Sequence, residues 1–163
     1  MRVGHGWDLH RLVSGRPCRL GGLDLPHDKG TLGHSDGDVV LHALADALLG
    51  AAALGDIGAF FPDTDPRWKG ADSARLLEEV LCKVRAEGFS VGNADITLVA
   101  QEPKIGPHRQ ALRESIARLL GTELARVSVK AKTTEGLGDI GAGNAIACHA
   151  VVLLEEEGDQ VIK

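Results

Sequence analysis

Aromatic residues make up only 3% of this 163-residue chain, and tyrosine is absent. That removes the stacking platforms on which nucleic-acid bases are held, and no stripe of lysine and arginine takes their place. With a formal net charge of -5, nucleic acid is not an expected partner. Cysteine is scarce too. Cys18, Cys82 and Cys148 are odd in number, far apart and without a Cys-x-x-Cys pair, which excludes a disulfide framework and a thiolate metal site. Three reduced thiols used in packing, in a cytoplasmic protein, are the expectation. No apolar run approaches the roughly 20 residues of a membrane span, and Met1-Arg2 opens a strand rather than a secretory leader, so neither membrane nor export is expected. What remains is an ordinary balance of 44% hydrophobic and 25% charged residues. A chain of this size fits one domain, residues 1–163, that buries roughly 70% of its unfolded surface.

The chemistry begins at Gly33-His34-Ser35-Asp36-Gly37-Asp38, a polar turn that runs straight into an amphipathic segment. Asp38 suits an N-cap, and Val40, Leu41, Leu44, Leu48 and Leu49 form the apolar stripe of a helix reaching about Gly50. Asp38, His42 and Asp46 then share one flank at i, i+4 and i+8. A lone helical histidine is more often structural than a ligand, but a second element changes the balance. Arg2 to His10 reads as a strand with Val3, Trp7 and Leu9 on one face and Gly4, Gly6, Asp8 and His10 on the other. Alternate residues point the same way about 7 Å apart, so Asp8 and His10 can close on one ion. With His42 they offer two nitrogens and an oxygen, the donor set of a zinc site with an open fourth position. Gly4 and Gly6 leave room for close approach to that face.

Arg16 to Pro26 predicts a hairpin turning at Gly21-Gly22. Ser35 sits where free backbone amides favour an anion. Leu54 to Pro66 combines glycines, prolines and acids with Phe60-Phe61 but lacks the spacing of a calcium loop, and is read as a substrate-contacting loop. Asp72 or Ser73 caps a second helix with Leu76, Leu77, Val80, Leu81 and Val84 inward and Gly88 as its stop; Phe89 to Ala100 is a strand, and Pro107 suits the first turn of a third helix. Arg126 to Lys132 alternates, with Lys130 and Lys132 opposite Val127, Val129 and Ala131. It leads into Thr133-Thr134-Glu135-Gly136, a mixture suited to phosphate and a hard cation though without Walker spacing. Asn144 to Leu154 is apolar on both faces, so a second layer or another subunit must cover the one that helices leave bare. His149 on that face is read as a subunit or packing contact, and the acidic tail from Glu155 as solvated or frayed.

Taken together, these blocks resemble, along essentially the whole chain, the 2-C-methyl-D-erythritol 2,4-cyclodiphosphate synthase family of the non-mevalonate isoprenoid pathway. The resemblance implies an α/β (α+β) sandwich with a mixed four-stranded sheet, helices on one face, and sheets packed about a threefold axis in a homotrimer. It implies conversion of 4-diphosphocytidyl-2-C-methyl-D-erythritol 2-phosphate to the cyclic diphosphate with loss of CMP. One zinc per subunit would bind Asp8, His10 and His42, and magnesium or manganese would meet Glu135. His34 and Thr133 would stabilise the transition state. Further substrate contacts are implied at Leu9 beside Asp8 and His10, at Ser35, at Asp56, Ile57 and Gly58, and at Phe61, Pro62, Asp63, Thr64 and Asp65. Ala100, Gln101, Glu102, Pro103, Lys104, Ile105 and Gly106 would line a cytosine pocket, and Ala131, Lys132 and Thr134 would flank Thr133. The active site would span adjacent subunits. Asp139 and Ala142, bordering the central cavity and the phosphate end, stand where some members carry an aromatic residue and an arginine. The rival reading is a zinc phosphohydrolase that activates water with the same three ligands; a scaffold with structural zinc fits less well, since such sites are closed by four protein ligands.

Overall fold

In the computed structural model, which describes residues 1–156, the N-terminal alternation forms β1 (Arg2–Ser14). Gly21 and Gly22, both at positive φ, turn β2 (Cys18–Leu20) into β3 (Leu23–Leu25) as the hairpin motif predicts. β4 (Lys29–Leu32) follows, then α1 (Val39–Ala51), in which every residue except His42, Asp46 and Gly50 is buried. Asp38 does cap α1, accepting from the Val40 and Leu41 amides, but it does not join a polar flank with His42. Its carboxylate is fully buried and also accepts from the Gly21 and Gly22 amides, which ties the hairpin turn to the helix start.

The loop expected over 54–66 contains one short helix, α2 (Ile57–Phe60), and ends in a 3-10 turn at Pro66–Trp68. α3 (Ser73–Ala86) is capped by Asp72 and buries all five predicted apolar positions. Cys82 lies exposed on its outer side, whereas Cys18 and Cys148 are packed inside. β5 (Phe89–Val99) leads through a 3-10 turn holding Pro107 into α4 (Arg109–Leu120), which Gly121 ends in the left-handed conformation. β6 (Val127–Lys132), the short α5 (Gly138–Gly141) and β7 (Ala145–Glu156) complete the described chain. Glu155 and Glu156 pair with Ser90 and Phe89 rather than fraying. The rest of the acidic tail, from Glu157, lies outside the described residues.

The sheet is mixed but has five strands, not four, in the order β4-β1-β7-β5-β6. β5 and β6 are parallel and the other pairs antiparallel. The additional strand is β4, whose Lys-Gly-Thr-Leu sequence carries little strand signal; pairing with Arg11 to Ser14 makes it a strand. The helices cover one face only. There Ile146, Cys148, Ala150, Val152 and Leu154 of β7 are fully buried against them. On the other face Val3 is 68% exposed, Trp7 50%, Leu9 44% and Val151 41%.

Candidate metal centre and its flanking loops

The centre is built where α1 meets β1 with no side chains between. A Cβ at Gly6 would lie 1.9 Å from the Ala43 carbonyl oxygen, and one at Gly4 1.9 Å from that of Ala47, so the two backbones touch. This contact sets His42 directly over Asp8 and His10, the next two residues on the same face of β1. Asp8 Oδ2 is 2.7 Å from His10 Nε2 and 3.1 Å from His42 Nδ1, and the two ring nitrogens are 3.1 Å apart. Among the described residues these are the one group of three or more His, Cys, Asp or Glu side chains whose ligand atoms converge, all within 4.8 Å.

An ion about 2.0–2.1 Å from each donor in tetrahedral array holds them about 3.3 Å apart, so a small opening of the cluster accommodates it. Burial by itself would raise the Asp8 carboxyl, but the hydrogen bonds and charge of His10 and His42 outweigh it and hold the group well below the usual carboxylate range. Burial also opposes charge on His10; the Asp8 carboxylate and the Leu32 carbonyl overcome this and raise it. His10 Nδ1 donates to the Leu32 carbonyl at 2.9 Å, so β4 aims Nε2 into the cluster. On the far side of the His42 ring, Nε2 lies 2.9 Å from both Ser35 Oγ and Ser73 Oγ.

The remaining expected site residues fall into two groups. On the α1 side, Asp46 accepts from the Ile57 amide at 2.7 Å and Asp56 from that of Ala59 at 2.9 Å, which anchors the stretch Asp56, Ile57, Gly58 next to the cluster. The Asp46 carboxyl is raised by burial above all, with Asp56 adding to the effect and the Ile57 amide opposing it. Phe61 packs edge-on against Trp68, Asp65 holds the Arg67 guanidinium, and Asp63 and Thr64 are exposed. His34 is exposed in its turn, its carbonyl accepting from Gly70 at 2.8 Å.

The second group sits beyond β5 and β6. The Ala100 amide donates to the Lys132 carbonyl, Gln101 Oε1 accepts from Gly136, and Thr133 donates to Glu135 at 2.8 Å, so the expected cytosine loop and phosphate loop are neighbours. Ala100, Pro103 and Ile105 are buried, with Glu102, Lys104 and Gly106 outside. These two groups do not meet within one chain. Leu9 pairs with Ala147, Ala147 with Val99 and Val99 with Lys132, so Lys132 shares the outer face with Leu9 while Asp8 and His10 point to the opposite, helical face. Three strand spacings, about 14 Å, also separate β1 from β6. Asp139 and Ala142 are exposed in and just after α5, and Asp139, Leu9 and Arg11 help line a depression of about 650 Å³.

A mixed α/β domain with a two-histidine, one-carboxylate cluster near its surface defines the class: a protein with a polar site whose three side chains could hold a metal ion. The match to the YgbB family model over residues 1–155 identifies the family, and the chain belongs to it. It is 60% identical to the 2-C-methyl-D-erythritol 2,4-cyclodiphosphate synthase of Trichlorobacter lovleyi over 154 residues, 94% of this chain and 98% of that protein. It superposes on a solved structure of 2C-methyl-D-erythritol-2,4-cyclodiphosphate synthase in a CDP-bound form with a TM-score of 0.87 at 48% identity, covering 94% of this chain and all of the other. The Plasmodium falciparum IspF in complex with CDP matches with a TM-score of 0.85 at 34% identity, over 96% of this chain and 97% of that one.

Proposed function

We propose that the chain converts 4-diphosphocytidyl-2-C-methyl-D-erythritol 2-phosphate to 2-C-methyl-D-erythritol 2,4-cyclodiphosphate and CMP, one catalytic domain per subunit of a cytoplasmic homotrimer. The observation that carries this reading is the convergence of Asp8, His10 and His42 in a chain 60% identical to a synthase of that name. An oxygen of the 2-phosphate attacks the β-phosphorus, a new P–O–P bond forms, and the bridge to the α-phosphorus breaks with its oxygen leaving on CMP. No protein nucleophile is required. Zinc at Asp8, His10 and His42, with magnesium or manganese at Glu135, would supply neutralisation of phosphate charge during the transfer.

The chain's own groups hold the substrate in line. His34 and Thr133 donate to the transferring phosphoryl group, Lys132 adds positive charge, and Ser35 faces the metal side. The loop from Asp56 to Asp65 takes the erythritol and sugar, and Ala100 to Gly106 takes the cytosine. Fixing an internal phosphate at the β-phosphorus gives it a large effective concentration over water. The opposite orientation of Lys132 and the metal ligands supports a site shared between subunits, with the outer apolar face of the sheet buried about the threefold axis. Three unpaired cysteines support a reducing compartment, and no helix among the described residues is long and apolar enough to cross a membrane.

Phosphorus NMR of the protein incubated with the cytidyl substrate and both metals tests the reaction. CMP and the cyclic diphosphate should rise together without inorganic phosphate. Stoichiometric inorganic phosphate would identify a hydrolase instead.

A further inference from the structure

Ser73, a cap candidate by sequence, places its hydroxyl against the His42 ring. It is the first residue of α3 and only 1% exposed, but Asp72, not Ser73, caps that helix through the Ala74 amide. The Ser73 hydroxyl is therefore free for another task. Its proton is donated to Asp36 Oδ1, while its backbone amide donates to Asp36 Oδ2 at 3.0 Å. Arg19 Nε also approaches Oδ2 at 3.2 Å, and the Asp38 amide reaches Oδ1 at 3.1 Å. Asp36 is thus met by donors on both oxygens and accepts throughout.

A hydroxyl has one proton. With that proton committed to Asp36, Ser73 Oγ turns only lone pairs toward His42 Nε2, 2.9 Å away. The contact is a hydrogen bond only if His42 carries a proton on Nε2, so Nδ1, 3.1 Å from both Asp8 Oδ2 and His10 Nε2, is the nitrogen that an ion can take in place of any proton it shares with Asp8. Ser35 Oγ, also 2.9 Å from Nε2, cannot decide the matter alone, because its hydroxyl can turn either way. We infer that Ser73, held by Asp36 and Arg19, is a positioning residue that fixes the tautomer of His42 and so presents Nδ1 to an ion. The Leu32 carbonyl does the converse for His10, holding Nδ1–H and presenting Nε2. The inference rests on Asp8, His10 and His42 being a metal centre, and it deepens that reading by naming the groups behind it. Outer partners of this kind change metal affinity by about 10- to 100-fold when removed.

Asp36→Asn reverses the arrangement. The Asn oxygen is retained by Arg19 and the Ser73 amide, and its NH2 group, in the Oδ1 position, gives up the bond from the Asp38 amide and donates to Ser73 Oγ, whose proton turns toward His42 Nε2. Two measurements on the full-length protein test this. In the metal-free protein, nitrogen-15 imidazole shifts should show a proton on His42 Nε2 in the wild type and none there in Asp36→Asn. Zinc affinity, measured by competition with a chromophoric chelator, should fall about 10- to 100-fold in Asp36→Asn and about 10-fold in Ser73→Ala. Asp72→Ala, which removes the α3 cap and spares the hydroxyl, should lower the unfolding midpoint without moving zinc affinity. An Nε2 proton retained in a folded Asp36→Asn protein overturns the inference. So does a loss of zinc affinity in Asp72→Ala as large as in Ser73→Ala. A wild-type protein that binds no zinc would defeat the metal reading separately, since the nitrogen shifts report the tautomer without any ion.

Discussion

The two faces of β1 are opposite in character. Gly4, Gly6, Asp8 and His10 face α1, and there the fit is complete within one chain: bare backbone against helix backbone, then two side chains meeting His42. Val3, His5, Trp7 and Leu9 face the other way, joined by Val151 and by His149, which lies 3.2 Å from His5. This second surface is apolar and uncovered, with Trp7 half exposed. A strand of alternating residues can therefore serve a finished site on one side and an unfinished contact on the other, and neither can slip register without turning its residues to the wrong face.

Removing a donor from the finished side should have the largest effect. His42→Ala and Asp8→Ala should stay folded, lose tightly bound zinc by elemental analysis, and lose turnover by about 1000-fold or more, roughly 4 kcal/mol of transition-state stabilisation. Undiminished zinc in both variants would remove the metal centre. Next in size is a test across the unfinished side. His42→Ala and Lys132→Ala proteins, each nearly inactive, should complement when unfolded together and reassembled, because random mixing leaves about one interface in four with both halves intact. Verified mixed trimers with no recovered activity would place each site within one chain.

Adjacent single substitutions sharpen the contrast further. Gly6→Ala should destabilise the fold by about 3 kcal/mol or more in urea unfolding, since its Cβ meets backbone that cannot yield. Trp7→Ala should leave secondary structure intact and instead make self-association weaker and concentration-dependent by sedimentation. Equal losses of fold stability in the two would erase the distinction between the faces. The smallest effect expected is a slope in acid. Burial above all, helped by Asp36 and opposed by the Gly22, Gly21 and Leu41 amides, pushes the Asp38 carboxyl up from 3.8 to about 6. The folded state then holds that proton more tightly, so this group stabilises folding fully below about 4 and loses its contribution as pH rises through about 6. Asp38→Asn, which cannot titrate, should lack that decline, and identical profiles of unfolding midpoint against pH would refute it.

Much of the finished side was legible in advance. Alternation over Arg2 to His10, a cap at Asp38 and a helix carrying His42 are local signals, and so was the room that Gly4 and Gly6 leave for close approach, although the spacing of Asp38 to His42 suggested a shared flank that burial of Asp38 rules out. β4 was not, because four residues with little strand propensity become a strand only through β1. The Leu32 carbonyl and Ser73 escaped for related reasons: a backbone acceptor has no sequence signature, and a serine at a helix start reads as a cap, which Asp72 supplies. The opposition of Lys132 to the metal ligands needed the strand order, since alternation gives faces within a strand but not between distant ones.

β7, the last element of the described chain, lies in the middle of the sheet between β1 and β5. During synthesis β1 and α1 both emerge well before β7, and until β7 follows β1 is held by the backbone contact with α1 and by four residue pairs with β4. Closure over so long a separation in sequence is slow compared with local helix formation. Asp8 and His10 thus sit on a strand whose β7 edge stays open until more than a hundred further residues are made, and a chain stalled before Ala145 exposes that edge to any other nascent chain nearby.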